Sequence, residues 1–125
     1  MVLASDDSAV MLDWDEACRG PLVYDLACSV VGGCFEGAQL LPERVSTLLG
    51  AYRECRTLSK EEMAALPMLM QANAVITAWY RWRAFHIEVP DAPAAAKESF
   101  REMVGISLAL DPGGAAREAL TELLK

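Results

Sequence analysis

Few residues of this chain have types and an order that could do chemistry, and they cluster early. Asp13, Asp15 and Glu16 follow directly on the apolar run Ala9-Val10-Met11-Leu12. A carboxylate at the end of a hydrophobic strand is held in place by that strand while its oxygens project from the edge, which suits a hard divalent cation. Asp13 stands in that place and is the candidate metal ligand. The plainer reading of the same three residues is a solvated acidic turn, the commoner use of such a run.

Other reactive types are sparser. His86 is the one histidine; at the end of an aromatic-rich helical stretch it is expected to be a surface or helix-end residue, and no catalytic role is assigned to it. Cys18, Cys28, Cys34 and Cys55 form no Cys-x-x-Cys pair. Reduced, mostly buried thiols are therefore expected rather than disulfides or a zinc site. Asp25 stands where its charge would meet the positive end of a helix. Trp79, Tyr80, Trp82 and Phe85 could stack on a ligand, but their helical spacing places them in the core, and Met63, Met68 and Met70 read as core filler.

The elements that must position these residues begin with a β-hairpin. Val2-Leu3 and Ala9-Val10-Met11-Leu12 are short apolar strands, and the aspartates and serines between them favour a turn. After Gly20-Pro21 the chain reads as helical, with Leu26, Val30, Val31, Cys34 and Phe35 in register from Leu22 onward. Pro42 suits the first turn of a helix that runs to about Arg56, with Val45, Leu48, Leu49 and Tyr52 on one side. Ser59-Lys60-Glu61-Glu62 is a capping box that starts another.

Pro67 is expected to open a new helix, Met68 to about Ile87, rather than to sit inside one. On it Leu69, Ala72, Ile76, Trp79 and Arg83 form one stripe, and Val75 and Trp82 a second, the pattern of a central helix. Beyond the connector Val89-Pro90-Asp91-Ala92-Pro93, a helix with Phe100, Met103, Val104 and Leu108 in register runs to Asp111. A terminal helix, Ala115 to Leu124, follows Pro112-Gly113-Gly114. The expectation is five or six helices and a hairpin.

Composition narrows the function classes. The 125 residues suit one domain, 1–125, with a hairpin over 1–14 and a helical subdomain over 22–125. The hydrophobic fraction of 54% is high for so small a unit, so exposed apolar surface is expected. Net charge is −7, and only Arg81 and Arg83 stand close together among the basic residues. That is not the footprint of a nucleic-acid binder. The apolar runs are broken by charges before the roughly 18 residues a membrane span needs, so no membrane partner and a cytoplasmic location are expected.

The order Leu12-Asp13-Trp14, an acidic residue, Ala17, Gly20-Pro21 and Tyr24-Asp25-Leu26-Ala27 resembles a stretch of the aminoglycoside phosphotransferase and type II homoserine kinase superfamily. Cys34-Phe35-Glu36, Leu48-Leu49-Gly50-Ala51-Tyr52, Arg56-Thr57-Leu58-Ser59, Glu62 and Ala65-Leu66-Pro67 resemble the helical region of the homoserine kinases. The resemblance runs from Val2 to about Ile87. It implies a mainly α fold, the helical second half of a protein-kinase-like C-lobe behind a short N-terminal hairpin. It also implies that Asp13 holds the Mg²⁺ of an ATP-dependent phosphotransferase acting on a small hydroxyl-bearing molecule.

In that superfamily a His-x-Asp-x-x-x-x-Asn loop precedes the hairpin, and an N-lobe lysine grips the phosphates; here Met1 stands at the place of the asparagine. Transfer relies on several such groups together, so the chain is expected to be inactive alone, and Mg²⁺ and ATP belong to the parent family if not to this chain. The implied partner is a complementary kinase half or a second copy of the chain in a homo-oligomer. The other function readings are a stand-alone helical oligomerisation or regulatory module without catalysis, and a truncated product with no activity.

Overall fold

The computed structural model describes residues 19–124 throughout and, before them, the backbone of two strands, β1 (Val2–Leu3) and β2 (Ala9–Val10). The strands pair antiparallel, Val2 opposite Val10 and Leu3 opposite Ala9. Asp13, Asp15, Glu16 and Cys18 lie outside the described residues. Everything after them bears out the mainly helical fold behind a short N-terminal hairpin.

Helix α1 (Leu22–Gly33) starts behind Pro21, whose ring presets an extended entry, and turns Val23, Leu26, Ala27, Val30 and Val31 inward. It stops two residues short of Phe35. The chain instead makes a second hairpin, β3 (Phe35–Glu36) with β4 (Gln39–Leu40), around Gly37-Ala38. Gly37 sits at φ 56°, the left-handed conformation that such a two-residue turn demands. Strands this short carry no alternation for the sequence to reveal. The turn rests against a later helix, where a Cβ added to Gly105 would come 3.2 Å from that of Ala38.

Helix α2 (Pro42–Cys55) opens with its proline in the first turn and buries Val45 and Leu49. Helix α3 (Lys60–Arg83) starts at the expected capping box: Glu62 N–H donates to Ser59 Oγ at 3.2 Å, and Ser59 N–H donates to Glu62 Oε2 at 2.9 Å. It then runs unbroken through Pro67, correcting the expectation of a new helix there. A proline inside a helix removes one backbone bond and crowds the preceding turn. Here Pro67 is itself buried beside Leu66 and Met70, and α3 packs along its length against α1 and a later helix, so burial offsets the loss.

The face that α3 buries is also not the expected one. Leu66, Met70, Ala74 and Ala78 point inward, whereas Val75, Ile76, Trp79 and Tyr80 are each more than half exposed. Met68 is exposed too, while Trp82 and Phe85 are half-buried. Helix packing at close range selects small side chains, and the alanines allow it where the rings do not.

A π-helical turn, Ala84–Glu88, ends α3, with Val89 N–H bonded to Ala84 O at 2.8 Å. The helix expected after Pro93 is two pieces, α4 (Ala94–Glu98) and α5 (Phe100–Ala109), broken at Ser99. Met103, Ile106 and Leu110 are buried, while Val104 and Leu108, expected inward, are exposed. Helix α6 (Ala115–Leu123) follows Gly114 and adds Ala116 and Leu120 to the core shared by all the longer helices. Of the described cysteines Cys34 is buried, Cys28 half-buried and Cys55 exposed, all as free thiols. No helix among the described residues is long and apolar enough to cross a membrane.

Candidate functional site

Helix α1 follows the segment that carries Asp13, with Arg19, Gly20 and Pro21 between them. Tyr24 and Cys28 stand one turn apart and face α3. There Asn73 Nδ2 donates to Cys28 Sγ at 3.1 Å and approaches the Tyr24 hydroxyl at 3.5 Å. All three are half-buried. An amide in the middle of an apolar helix needs a partner, and this one fixes the rotation of α1 against α3. Asp25 in the same turn is exposed, an acidic residue in the first turn of the helix, where its charge suits the positive helix end.

The Cys28 thiol is pushed above its ordinary value by burial, with the Tyr24 hydrogen bond opposing and the Asp25 charge adding to the rise. Burial also raises Cys34, against the pull of Arg44. Both are neutral thiols at physiological pH, which removes them as nucleophiles. Asn73 was missed in the sequence. Its signal was there: Gln71, Asn73 and Thr77 are the polar residues of the stretch from Met68 to Tyr80, and each such amide marks a neighbouring element. Gln71 turns the other way, bonding Ser107 O at 3.3 Å and the Asp111 carboxylate on the α5 side.

The motif residues around Ser59 prove structural. Arg56 Nη2 bonds Glu62 Oε1 at 2.5 Å and Arg56 Nη1 bonds the Tyr52 hydroxyl at 3.1 Å, so the end of α2 is clamped to the start of α3. The Ser59 backbone N–H, and after it Arg56, hold the Glu62 carboxyl below the usual glutamate range.

Two further features lie away from α1's start. An open, mostly apolar groove of about 1050 Å³ runs between the far end of α1 and α2, past Gly33, Cys34, Arg44 and Leu48. At the far end of α3 the rings form a ladder. Trp79 stacks on Trp82 at 5.3 Å, Trp82 on His86 at 5.5 Å, and Phe100 meets His86 edge-on at 5.9 Å. His86 Nδ1 lies 3.0 Å from Trp82 O, so the histidine is exposed and tied to its own helix. Among the described residues no group of three or more His, Cys, Asp or Glu is arranged to hold a metal.

Comparison with known proteins gives one consistent result. The chain is 35% identical over 82 residues, 62% of its length, to the homoserine kinase of Rhizobium etli, of which it covers 25%. It is 35% identical over 75 residues to that of Afipia carboxidovorans, covering 59% of this chain and 23% of the relative. With the homoserine kinase of a Chelativorans species the figures are 31% over 91 residues, 70% of this chain and 27% of the relative. The chain thus spans about a quarter of the length of the curated relatives it matches. No family model and no solved structure matches it. The similarity supports a kinase-like relationship over part of the chain.

Proposed function

We propose that this chain forms the metal-binding and helical part of a phosphotransferase active site of the aminoglycoside phosphotransferase and homoserine kinase type, with a small hydroxyl-bearing acceptor. The observation that carries the reading is the alignment with homoserine kinases at about 35% identity. The motif from Asp13 to Ala27 supports it; the part of it in α1 is seated on α3 next to the Asn73–Cys28 contact. Asp13 would hold Mg²⁺, which would supply positive charge for the phosphates of ATP. Among the described residues no group of three or more His, Cys, Asp or Glu is arranged to hold a metal, so the metal reading rests on Asp13.

Phosphoryl transfer depends on positioning and on charge stabilisation by several groups acting at once. One carboxylate is not sufficient. Turnover therefore also requires a base for the acceptor hydroxyl and a cation for the phosphates. The experiment is an NMR titration of the isotope-labelled chain with Mg²⁺ and ATP, repeated on Asp13→Asn. Saturable shifts at residue 13 and through the first turn of α1, lost in the variant, are expected; a folded chain that shows none overturns the metal assignment.

A second reading, a helical association module without catalysis, is favoured by one observation, the exposed apolar side of α3.

A further inference from the structure

Helix α3 carries large apolar side chains on two sides, of which only one is packed inside. Its inner side is covered by α1 and α5. On its outer side Met68, Val75, Ile76, Trp79 and Tyr80 are each 52–59% exposed, with Ala72 among them. Five large side chains exposed to that degree leave on the order of 500 Å² of apolar surface, within the range of the largest patch on a typical monomer, which is often functional. Two such patches face to face approach the roughly 1,000 Å² at which specific interfaces begin.

We infer that this face pairs with the same face of a second copy, the two α3 helices antiparallel about a two-fold axis at Ala72. The argument is one of complementarity. At 100° per residue, Glu61, Met68, Ala72, Ile76, Trp79 and Arg83 fall on one side of the helix. Ala72 is equidistant in sequence from Glu61 and Arg83, so an antiparallel mate centred there sets each glutamate beside the other copy's arginine. The same axis sets Met68 opposite Ile76, and the small Ala65 opposite the large Trp79.

A two-fold axis passing at an alanine lets the backbones approach closely, and self-complementarity about the axis is what an isologous interface requires. Glu61 and Arg83 are both exposed. Arg83 Nε holds Glu88 at 3.0 Å, and its remaining guanidinium donors stay available for a second carboxylate. This pairing does not depend on the phosphotransferase reading.

The test is the molecular mass in solution of the full 125-residue chain, by sedimentation over a concentration series. A dimer is expected. Trp79→Glu weakens it by at least about 30-fold, the scale of a central aromatic anchor. Glu61→Arg alone weakens it, and Glu61→Arg combined with Arg83→Glu restores it. Circular dichroism confirms that each variant is folded. A folded wild-type chain that stays monomeric at high micromolar concentration overturns the proposal and leaves the face to a different polypeptide. A dimer indifferent to Trp79→Glu overturns it as well, as does a charge swap that fails to restore what Glu61→Arg lost.

Discussion

The two sides of α3 differ less in hydrophobicity than in size. Leu66, Met70, Ala74 and Ala78 meet α1 and α5 and are at most 8% exposed, whereas the outer side carries the large rings Trp79 and Tyr80 at 57% each. Close helix approach is what the inner side needs, and alanine supplies it at Ala74 and Ala78. The lesson is that the largest apolar side chains of a helix do not have to mark its core. Where two neighbours must come near, small residues face them and the large ones are left for another surface.

That contrast can be broken most sharply from the inside. Leu66→Ala leaves a cavity at a site with no solvent access, and a loss of about 3 kcal/mol in denaturant unfolding is expected. Ala74→Leu tests the small-residue argument directly: forcing three more carbons between α3 and its neighbours costs about 2 kcal/mol. Were Ala74→Leu neutral, close approach would not be what the inner side selects.

The clamp between the end of α2 and the start of α3 gives a pH-dependent test. Because Glu62 titrates lower in the folded chain than it does unfolded, its contribution is fully present above the ordinary glutamate pKa and is lost as pH falls through the depressed folded value. The stability difference between wild type and Glu62→Gln therefore narrows on acidification. The smallest effect belongs to the outer side. At dilutions where the chain is monomeric, Trp79→Ser costs about 1 kcal/mol, the scale of its stack on Trp82. A large loss there would show that the ring supports its own monomer and would erase the distinction between the faces.

Much of this was readable in the residues. The capping box at Ser59, the proline that opens α2 and the glycines before α6 place their helix ends where the structure has them. Pro67 misled, because a local rule about backbone bonds was set against burial that only the tertiary structure reveals. The stripes on α3 and α5 misled for a related reason. When a helix carries apolar residues on two sides, periodicity finds a face but cannot choose between faces, and side-chain size is the further cue. Asp13 was legible by resemblance alone, while the amide of Asn73, which seats α1 behind that motif, has meaning only once the two helices are side by side.

The ring ladder at the end of α3 makes that helix optically distinct. Two of the chain's three tryptophans are stacked there with planes 22° apart. Indoles so close and so nearly parallel share their electronic transitions, and the splitting that results appears as a paired band in circular dichroism. The band exists only while the last turns of α3 hold both rings in register, and Trp79 is the ring that a covering surface would shield from a quencher. Unwinding of that helix end and contact across its outer side would thus be seen as two separate signals from the same pair of side chains.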